Sequence, residues 1–594
     1  MTTHLGKFLE LSGQVDFRSL HRWSVEEPEA FWAKFREYAQ LPADGEPFNF
    51  AEVLMRRLGS GPALLYRDES GTNLSWSGLQ LRQAVAIYAR VLREHGIGPG
   101  DRVVALLPNR METIGLMLAA AAVGAVWSSC SPDFGAQGII DRFAQLEPRV
   151  LFTTASYCFG GKSFDLTERV GQLVAAMPTI EATLLVEEIA IEDERELVFA
   201  MLPPEQPLFI LFSSGTTGLP KCIVHSAGGT LVQIVKEHLL HVDLQDGERL
   251  FYYTTCGWMM WNWLAVGLAS GATLVLYHGS PLYPDAGVLW RMVDHDSISH
   301  FGTSAKYLAL LEKQGYRPRE HHRLEKLRQV LSTGSPLLPE SFDFVWRDIK
   351  PGVHLASISG GTDIVSCFVL GNPLEPVKRG EIQGPGLGMD VQIWNTAGER
   401  VWDEAGELVC VNRFPSMPLG FWNDAGGEKY HDAYFGRFEG VWCHGDWASE
   451  ASDTGGFTIY GRSDTTLNPG GIRIGTAEIY RQVEAIEEIE EAIAVGQQWR
   501  GDERIVLFVK LRDGNRLTTE VVEKIRLRLK TEASPHHVPK KILEVSAIPR
   551  TVSGKISEAA VRDAIAGRQS RNLHALANPE SIEEFRARPE LLYD

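Results

Sequence analysis

At 594 residues, 44% hydrophobic and 23% charged, the chain has the composition of a soluble globular protein and exceeds one ordinary hydrophobic core, so two or more domains are expected. Its 76 acidic residues outnumber 58 basic ones, a formal net charge of −18. That balance opposes binding to nucleic acid or anionic membranes, so any site for an anion must be built locally from loops, Lys and Arg. Seven cysteines are scattered at 130, 158, 222, 256, 367, 410 and 443 without a C-x-x-C pair, which points to reduced thiols and a cytoplasmic setting.

Lys7 and Glu10 interrupt Met1–Phe17, so no export signal is expected there. Two uncharged runs, 113–132 and 256–277, approach the length of a membrane span, but Gly, Ser, Thr and Asn break both at intervals that suit helix, turn and strand of a buried core. Phe31, Trp32, Phe35 and Tyr38 recur at helical spacing and predict an amphipathic helix over 26–38. From Pro62 strand and helix alternate: a strand at 63–67, a helix over 77–95, the turn Gly98-Pro99-Gly100-Asp101, and a strand at 102–107. The rhythm resumes through 112–127 and at 150–152, and predicts parallel βαβ units.

The apolar run 208–212 then feeds Ser213-Ser214-Gly215-Thr216-Thr217-Gly218-Leu219-Pro220-Lys221, with a helix near 228–241 beyond. Glycines let backbone N–H groups approach phosphate oxygens, hydroxyls add donors, and a lysine adds a compact positive charge. The loop is not a Walker motif, because two residues separate Gly215 from Gly218 and Cys222 follows Lys221. Three further strands end in polar or glycine-rich turns, at Thr303, at Ser332-Thr333-Gly334-Ser335-Pro336 and at Ser359-Gly360-Gly361-Thr362-Asp363. In open α/β sheets ligands gather outside the carboxyl ends of strands, so these turns are expected to face one crevice. Trp258, Met259, Met260, Trp261 and Trp263 either fill a core or wall a substrate pocket.

From Gly384 the pattern changes to short strands and tight turns, with strands at 391–394 and 407–411. Trp442-Cys443-His444-Gly445-Asp446, a hairpin at 453–456, Gly461-Arg462-Ser463-Asp464 and Asn468-Pro469-Gly470-Gly471-Ile472-Arg473 follow. A helix over 475–486, a strand at 505–511, a helix over 519–530, a strand at 541–545 and a helix after Ser557 predict a small α+β unit. The predicted fold class is α/β: a large N-terminal domain of layered α/β subdomains plus a small β-rich part over 1–463, and a small C-terminal α+β domain over 464–594. The pairs His321-His322, His536-His537 and Cys443-His444 lack zinc spacing.

The Ser213 loop, Gly360-Gly361-Thr362-Asp363, Gly445-Asp446, Gly461–Asp464, Gly470–Arg473 and Pro549-Arg550-Thr551-Val552-Ser553-Gly554-Lys555 stand in the order and spacing of the acyl-adenylate-forming superfamily, which the chain resembles over nearly its whole length. Within it, Gly257–Trp263, Pro220–His225 and the tail around Asn572 and Ala577–Ser581 resemble most its acetoacetate-activating acyl-CoA synthetases. The resemblance implies two steps. A carboxylate attacks the α-phosphorus of ATP and releases pyrophosphate, and CoA thiolate then displaces AMP. Lys555, Asp363 and Thr216 are the implied catalytic group, Lys555 matching the adenylation lysine and Asp363 the carboxylate for Mg²⁺, where the family usually has Glu. Ser213, Ser214, Gly215, Thr217, Gly218 and Lys221 are implied phosphate-loop contacts. Gly334, Ser335 and Pro336 fall on the adenine side, with Ser359, Gly361 and Thr362 as further nucleotide contacts. Asp446 and Arg462 match the ribose contacts, and Arg473 a phosphate contact.

The resemblance also implies that Ser359-Gly360 stand in the turn where acetate-specific relatives carry a bulky tryptophan. Removing that wall, opposite Trp258, Met259, Met260 and Trp261, is expected to admit a short, partly polar acid such as acetoacetate. Asp464 matches the hinge on which the small domain turns, making that domain mobile. Gly470–Ile472 and Tyr157–Lys162 are the segments that offer CoA contacts or plain structural loops. A free-standing enzyme loading a carrier protein remains a rival, weakened by the lack of an appended Gly-Gly-x-Ser segment, and so does a non-catalytic nucleotide binder. The expected partners are ATP, acetoacetate and CoA, with no nucleic acid and no membrane.

Overall fold

The computed structural model describes residues 3–191, 196–213, 219–467, 469, 474–500, 502–533, 537–552, 554–568, 573 and 576–593. Two seven-stranded sheets carry most of the chain. In the first, the strands His354–Ser357, Gln329–Thr333, His300–Ser304, Arg249–Tyr252, Thr273–His278 and Pro62–Asp68 lie side by side in parallel, with Asn73–Ser77 antiparallel at the edge. In the second, Pro207–Ser213, Val126–Cys130, Arg102–Leu106, Val150–Thr153 and Ala182–Leu185 are parallel neighbours, and Lys221–Ser226 adds antiparallel to Pro207–Ser213. The alternation of strand and helix in the sequence produces this pattern, because parallel strands need crossover helices.

The main core fills the space between the two sheets. Phe209 and Leu211 of one sheet and Leu250, Leu274 and Leu331 of the other belong to a single apolar cluster. The Met111–Val123 helix runs through it and is buried at every position from Thr113 to Val123. An all-round apolar helix suits that placement. The first uncharged run of the sequence is therefore a core helix and strand, and the second is the Met259–Val266 helix and the Thr273–His278 strand. Among the described residues no helix is long and apolar enough to cross a membrane. The aromatic helix near the start spans Pro28–Ala39 and buries Phe31 and Phe35 completely.

After Gly384 a four-stranded antiparallel sheet forms, ordered Val391–Trp394, Ala405–Cys410, Trp442–Glu450 and Phe457–Arg462. The last sheet joins Ile489–Trp499, Asp502–Leu511 and Lys541–Glu544, flanked by the Thr476–Val483, Thr519–Glu532 and Glu558–Ile565 helices. Two apolar clusters drawn wholly from residues 467–591 pack on its two faces. The eleven-residue strand Ile489–Trp499 is absent from the sequence reading, which carries no element between the 475–486 helix and the 505–511 strand.

Candidate active site

The residues around Lys221, Asp363, Asp446, Arg462 and Lys555 come from separate strands and turns and lie close enough to act on one another. Pro207–Ser213 and Lys221–Ser226 form a hairpin with Ser213 opposite Lys221, so the strands hold the loop expected to cradle phosphate. Ser214, Gly215, Thr216, Thr217 and Gly218 lie outside the described residues, as do Arg473 and the Asp464 side chain. The Lys221 ammonium stands 5.6 Å from the Phe421 ring centre and 5.4 Å from that of Tyr434, a cation–π seat that fixes its direction. Tyr434 in turn stacks on Trp442 at 3.8 Å and 11° and donates its hydroxyl hydrogen to Asp363. Lys221 and Asp363 thus face one another across an aromatic platform.

Asp363 follows the short strand Ser359–Gly361. Burial pushes its carboxyl pKa up, but His444, the Tyr434 hydroxyl, Arg462 and Lys221 outweigh it, leaving the group below the ordinary carboxylate value. The preceding carbonyl, Thr362 O, sits 2.9 Å from His225 Nε2. A carbonyl only accepts, so Nε2 carries the hydrogen. Burial lowers the His225 pKa to about 4, which keeps the ring neutral. Gly334, in the left-handed region at φ +91°, starts the turn after Gln329–Thr333. Ser335 and Pro336 continue it, and Thr333 donates to Ile358 O at 2.9 Å, which binds this turn to the one beginning at Ser359.

Asp446 and Arg462 are cross-strand partners in register. Arg462 Nη1 donates to Asp446 Oδ1 at 3.2 Å and to His444 O at 3.1 Å. Between them Gly445 has φ +80°, a left-handed conformation that calls for glycine, and its lack of a side chain leaves the Arg462 guanidinium room beside it. The buried His444 ring packs edge-on against Phe368 at 4.8 Å, and its Nε2 is 3.7 Å from Asp446 Oδ2.

Lys555 reaches the same place from the far end of the chain. Its loop is a tight turn: Gly554 N donates to Thr551 O at 2.7 Å, Thr551 N to Lys555 O at 2.8 Å, and Gly554 adopts φ +80°. The surrounding protein lowers the lysine's pKa, Arg462 lowers it further, and the carboxylates of Asp446 and Asp363 oppose the shift. The side chain remains open to the crevice. Val552, three residues earlier, packs with Phe212 and Trp422 against the core cluster under the phosphate hairpin.

Two expectations need correction. Gly360 was expected to leave acyl space by lacking a side chain. A Cβ on Gly360 would instead lie 2.1 Å from Ser366 O and 2.5 Å from Cys367 Cα. The paired strand Ser366–Leu370 occupies that direction, so backbone packing alone requires the glycine. Trp261 was expected in the pocket wall. It is fully buried and donates its indole hydrogen to Asn109 Oδ1 at 3.0 Å, which makes it a core residue. Met259 and Met260 are 9% and 7% exposed, and Trp258, at the helix start, is the most open of the four. Tyr434, His225 and His444 escaped the sequence reading. Only the position of His444 next to Gly445-Asp446 offered a signal.

A carboxylate beside two lysines, an Asp–Arg pair suited to a diol, and a glycine- and hydroxyl-rich loop together fit a nucleotide. Residues 54–422 match the model of the AMP-binding enzyme family, and residues 481–555 match that of the AMP-binding enzyme C-terminal domain. This chain belongs to the AMP-binding enzyme family. Its relatives include an acetoacetyl-coenzyme A synthetase of Rhizobium meliloti, 51% identical over 99% of this chain and 97% of that protein. An acetoacetyl-CoA synthetase of Gallus gallus is 42% identical over 97% of this chain and 94% of its own length. The solved structure of acetoacetyl-CoA synthetase from Streptomyces lividans superposes with a TM-score of 0.93 at 38% identity, covering 98% of this chain and 97% of that one.

Proposed function

We infer that the protein is an acetoacetate–CoA ligase, converting acetoacetate, ATP and CoA to acetoacetyl-CoA, AMP and pyrophosphate through an acyl-adenylate. The observation that carries the mechanism is the convergence of Lys555 with Asp363, Asp446 and Arg462 from three separate stretches of chain. The near full-length likeness to acetoacetyl-CoA synthetases supports the choice of acid.

In the first step a carboxylate oxygen of acetoacetate attacks the α-phosphorus, and the bond from phosphorus to the pyrophosphate oxygen breaks. Negative charge grows on the transferring and leaving groups. Lys221 on its strand and Lys555 on its seated turn are the cations aimed at it, already in place as the charge develops. Asp446 accepts from the ribose hydroxyls while Arg462 holds the carboxylate in place. Asp363 is the carboxylate suited to Mg²⁺, which binds through one or two carboxylates plus substrate phosphates; a bound Mg²⁺ supplies charge neutralisation on the phosphates. In the second step CoA thiolate attacks the acyl carbon and the bond to the AMP oxygen breaks. Lys555 has no part in this step, so a small domain over 464–594 turning on Asp464 can withdraw it and admit CoA.

Trp258 and Ser359 have partly open side chains, and we assign both to the acyl end, Ser359 where the nucleotide and acyl parts of the adenylate meet. The neutral Ser359 hydroxyl suits a ketone better than a cation would, because acetoacetate's 3-oxo group carries no charge. The test is AMP release with ATP, Mg²⁺ and CoA, comparing acetoacetate with acetate, butyrate, 3-hydroxybutyrate and a long-chain acid. Acetoacetate should lead by at least about tenfold in kcat/KM, roughly 1.4 kcal/mol of discrimination. A lead for acetate or the long chain contradicts the substrate assignment. If none of these acids gives AMP release with CoA, the ligase reading itself is contradicted and the carrier-protein or non-catalytic readings move to the front.

A further inference from the structure

Deepening the proposed function, and resting on it, the inference concerns what seats Lys555. The Ala305–Lys313 helix begins where His300–Ser304 ends at the crevice. Lys306 and Lys313 are two turns apart and share one face. That face meets the start of the Ile489–Trp499 strand: Lys313 Nζ donates to Glu490 O, and Lys306 Nζ lies 3.6 Å from Glu491 Oε1. The same Glu491 oxygen accepts from Arg550 Nη2 at 2.9 Å. Arg550 Nη1 donates to Gly554 O at 2.8 Å, the carbonyl directly before Lys555. Asn578 fixes the backbone of Arg550 from behind, its Oδ1 accepting from Arg550 N at 2.9 Å. One carboxylate oxygen thus ties a helix of the nucleotide-binding body to the turn that carries the lysine.

We propose that Glu491 is a positioning residue which, through Lys306 on one side and Arg550 on the other, seats the Lys555 turn for adenylation and releases it for thioester formation. The arrangement is suited to a reversible joint. The Lys306 side chain is 43% exposed while those of Glu491 and Arg550 are 21% and 16% exposed. The outer pair is therefore weak and screened by salt, whereas the inner pair travels with the turn. Val552 on its apolar seat supplies the second, salt-insensitive contact of the same turn.

The test measures the half-reactions separately: ATP–pyrophosphate exchange with acetoacetate, and thioester formation from supplied acetoacetyl-adenylate and CoA. Lys306→Ala should lower exchange about threefold to fivefold, the scale of one partly exposed ion pair, with thioester formation unchanged. Lys306→Arg should restore exchange. Glu491→Gln should lower exchange by more, about tenfold, since a half-buried guanidinium loses its counter-ion and Lys306 loses its partner at once. Raising salt from ~0.05 to ~0.5 M should slow wild-type exchange more than that of Lys306→Ala. Equal losses in both half-reactions, or no loss in either, overturn the proposal. Wild-type protein without exchange would sink the functional reading instead. A readout free of substrate then decides the joint: amide hydrogen exchange over 549–557 should quicken at least about twofold in Lys306→Ala, and unchanged protection overturns it.

Discussion

The two halves of the crevice are built differently. Asp363, Asp446 and Arg462 stand on or beside strands whose other faces are core: Asp446 and Arg462 pair in register, and Asp363 is held by a tyrosine stacked on the buried Trp442. Lys555 stands on a short turn held to the rest of the site by the Val552 contact and the pairs around Glu491. Ligand-holding groups sit on a scaffold that cannot shift without disturbing packing. The charge proposed for adenylation alone sits on a turn whose described ties include a partly exposed ion pair.

Breaking the mobile half should cost most. Lys555→Ala is expected to reduce overall turnover at least about 10²-fold, the scale of losing one aimed charge, checked by steady-state AMP release. On the fixed side, Asp446→Ala removes the proposed ribose acceptor and the carboxylate beside Arg462, so kcat/KM for ATP should fall about 10- to 100-fold; an unchanged value would remove Asp446 from the nucleotide site. Gly360→Ala should destabilise the fold by several kcal/mol on the scale of overpacked cores, because its Cβ meets backbone at 2.1 Å. A lowered melting temperature checks this, and a stable variant with altered acid preference would restore the pocket role.

Smaller effects sharpen the contrast through pH. His225, with its pKa lowered to about 4, and His238 and His300, lowered to about 3, are buried neutral. Unfolding lets them bind protons once pH drops below about 6.5, so stability is lost as pH falls from there toward the folded values. Each contributes up to about 1.4 kcal/mol per pH unit in that window, and melting curves between pH 7 and 5 should show the decline. Lys555, lowered from the ordinary 10.5, should make adenylation fall on the basic side earlier than an ordinary lysine allows, while thioester formation does not follow. Lys555→Arg should move that limb upward.

Local patterning made much of the scaffold legible. The helix over Gly78–Glu94 and the Arg102–Leu106 and Pro207–Ser213 strands lie where periodicity and turn residues put them, whereas the Lys221–Ser226 strand that completes the hairpin carried no such signal. Ile489–Trp499 was not legible because Glu487, Glu488, Glu490 and Glu491 hide a strand behind a charge run that fits a helix tail. Asp363, Asp446, Arg462 and Lys555 carry motif signals and come together as expected. Tyr434, His225 and His444 act through partners 71, 137 and 2 positions away. For Tyr434 and His225 the partner is far along the chain and leaves no local trace; only His444 stands next to its own. Gly360 shows the converse limit: a missing side chain reads as space until the neighbouring backbone is seen.

The most direct measurement separates the two steps in Lys555→Ala. With acetoacetyl-adenylate supplied, CoA should be acylated at close to the wild-type rate, while acetoacetate-dependent ATP–pyrophosphate exchange falls at least about 10²-fold. Equal loss in both would place Lys555 among the fixed groups and contradict a lysine that is seated for one step and withdrawn for the other.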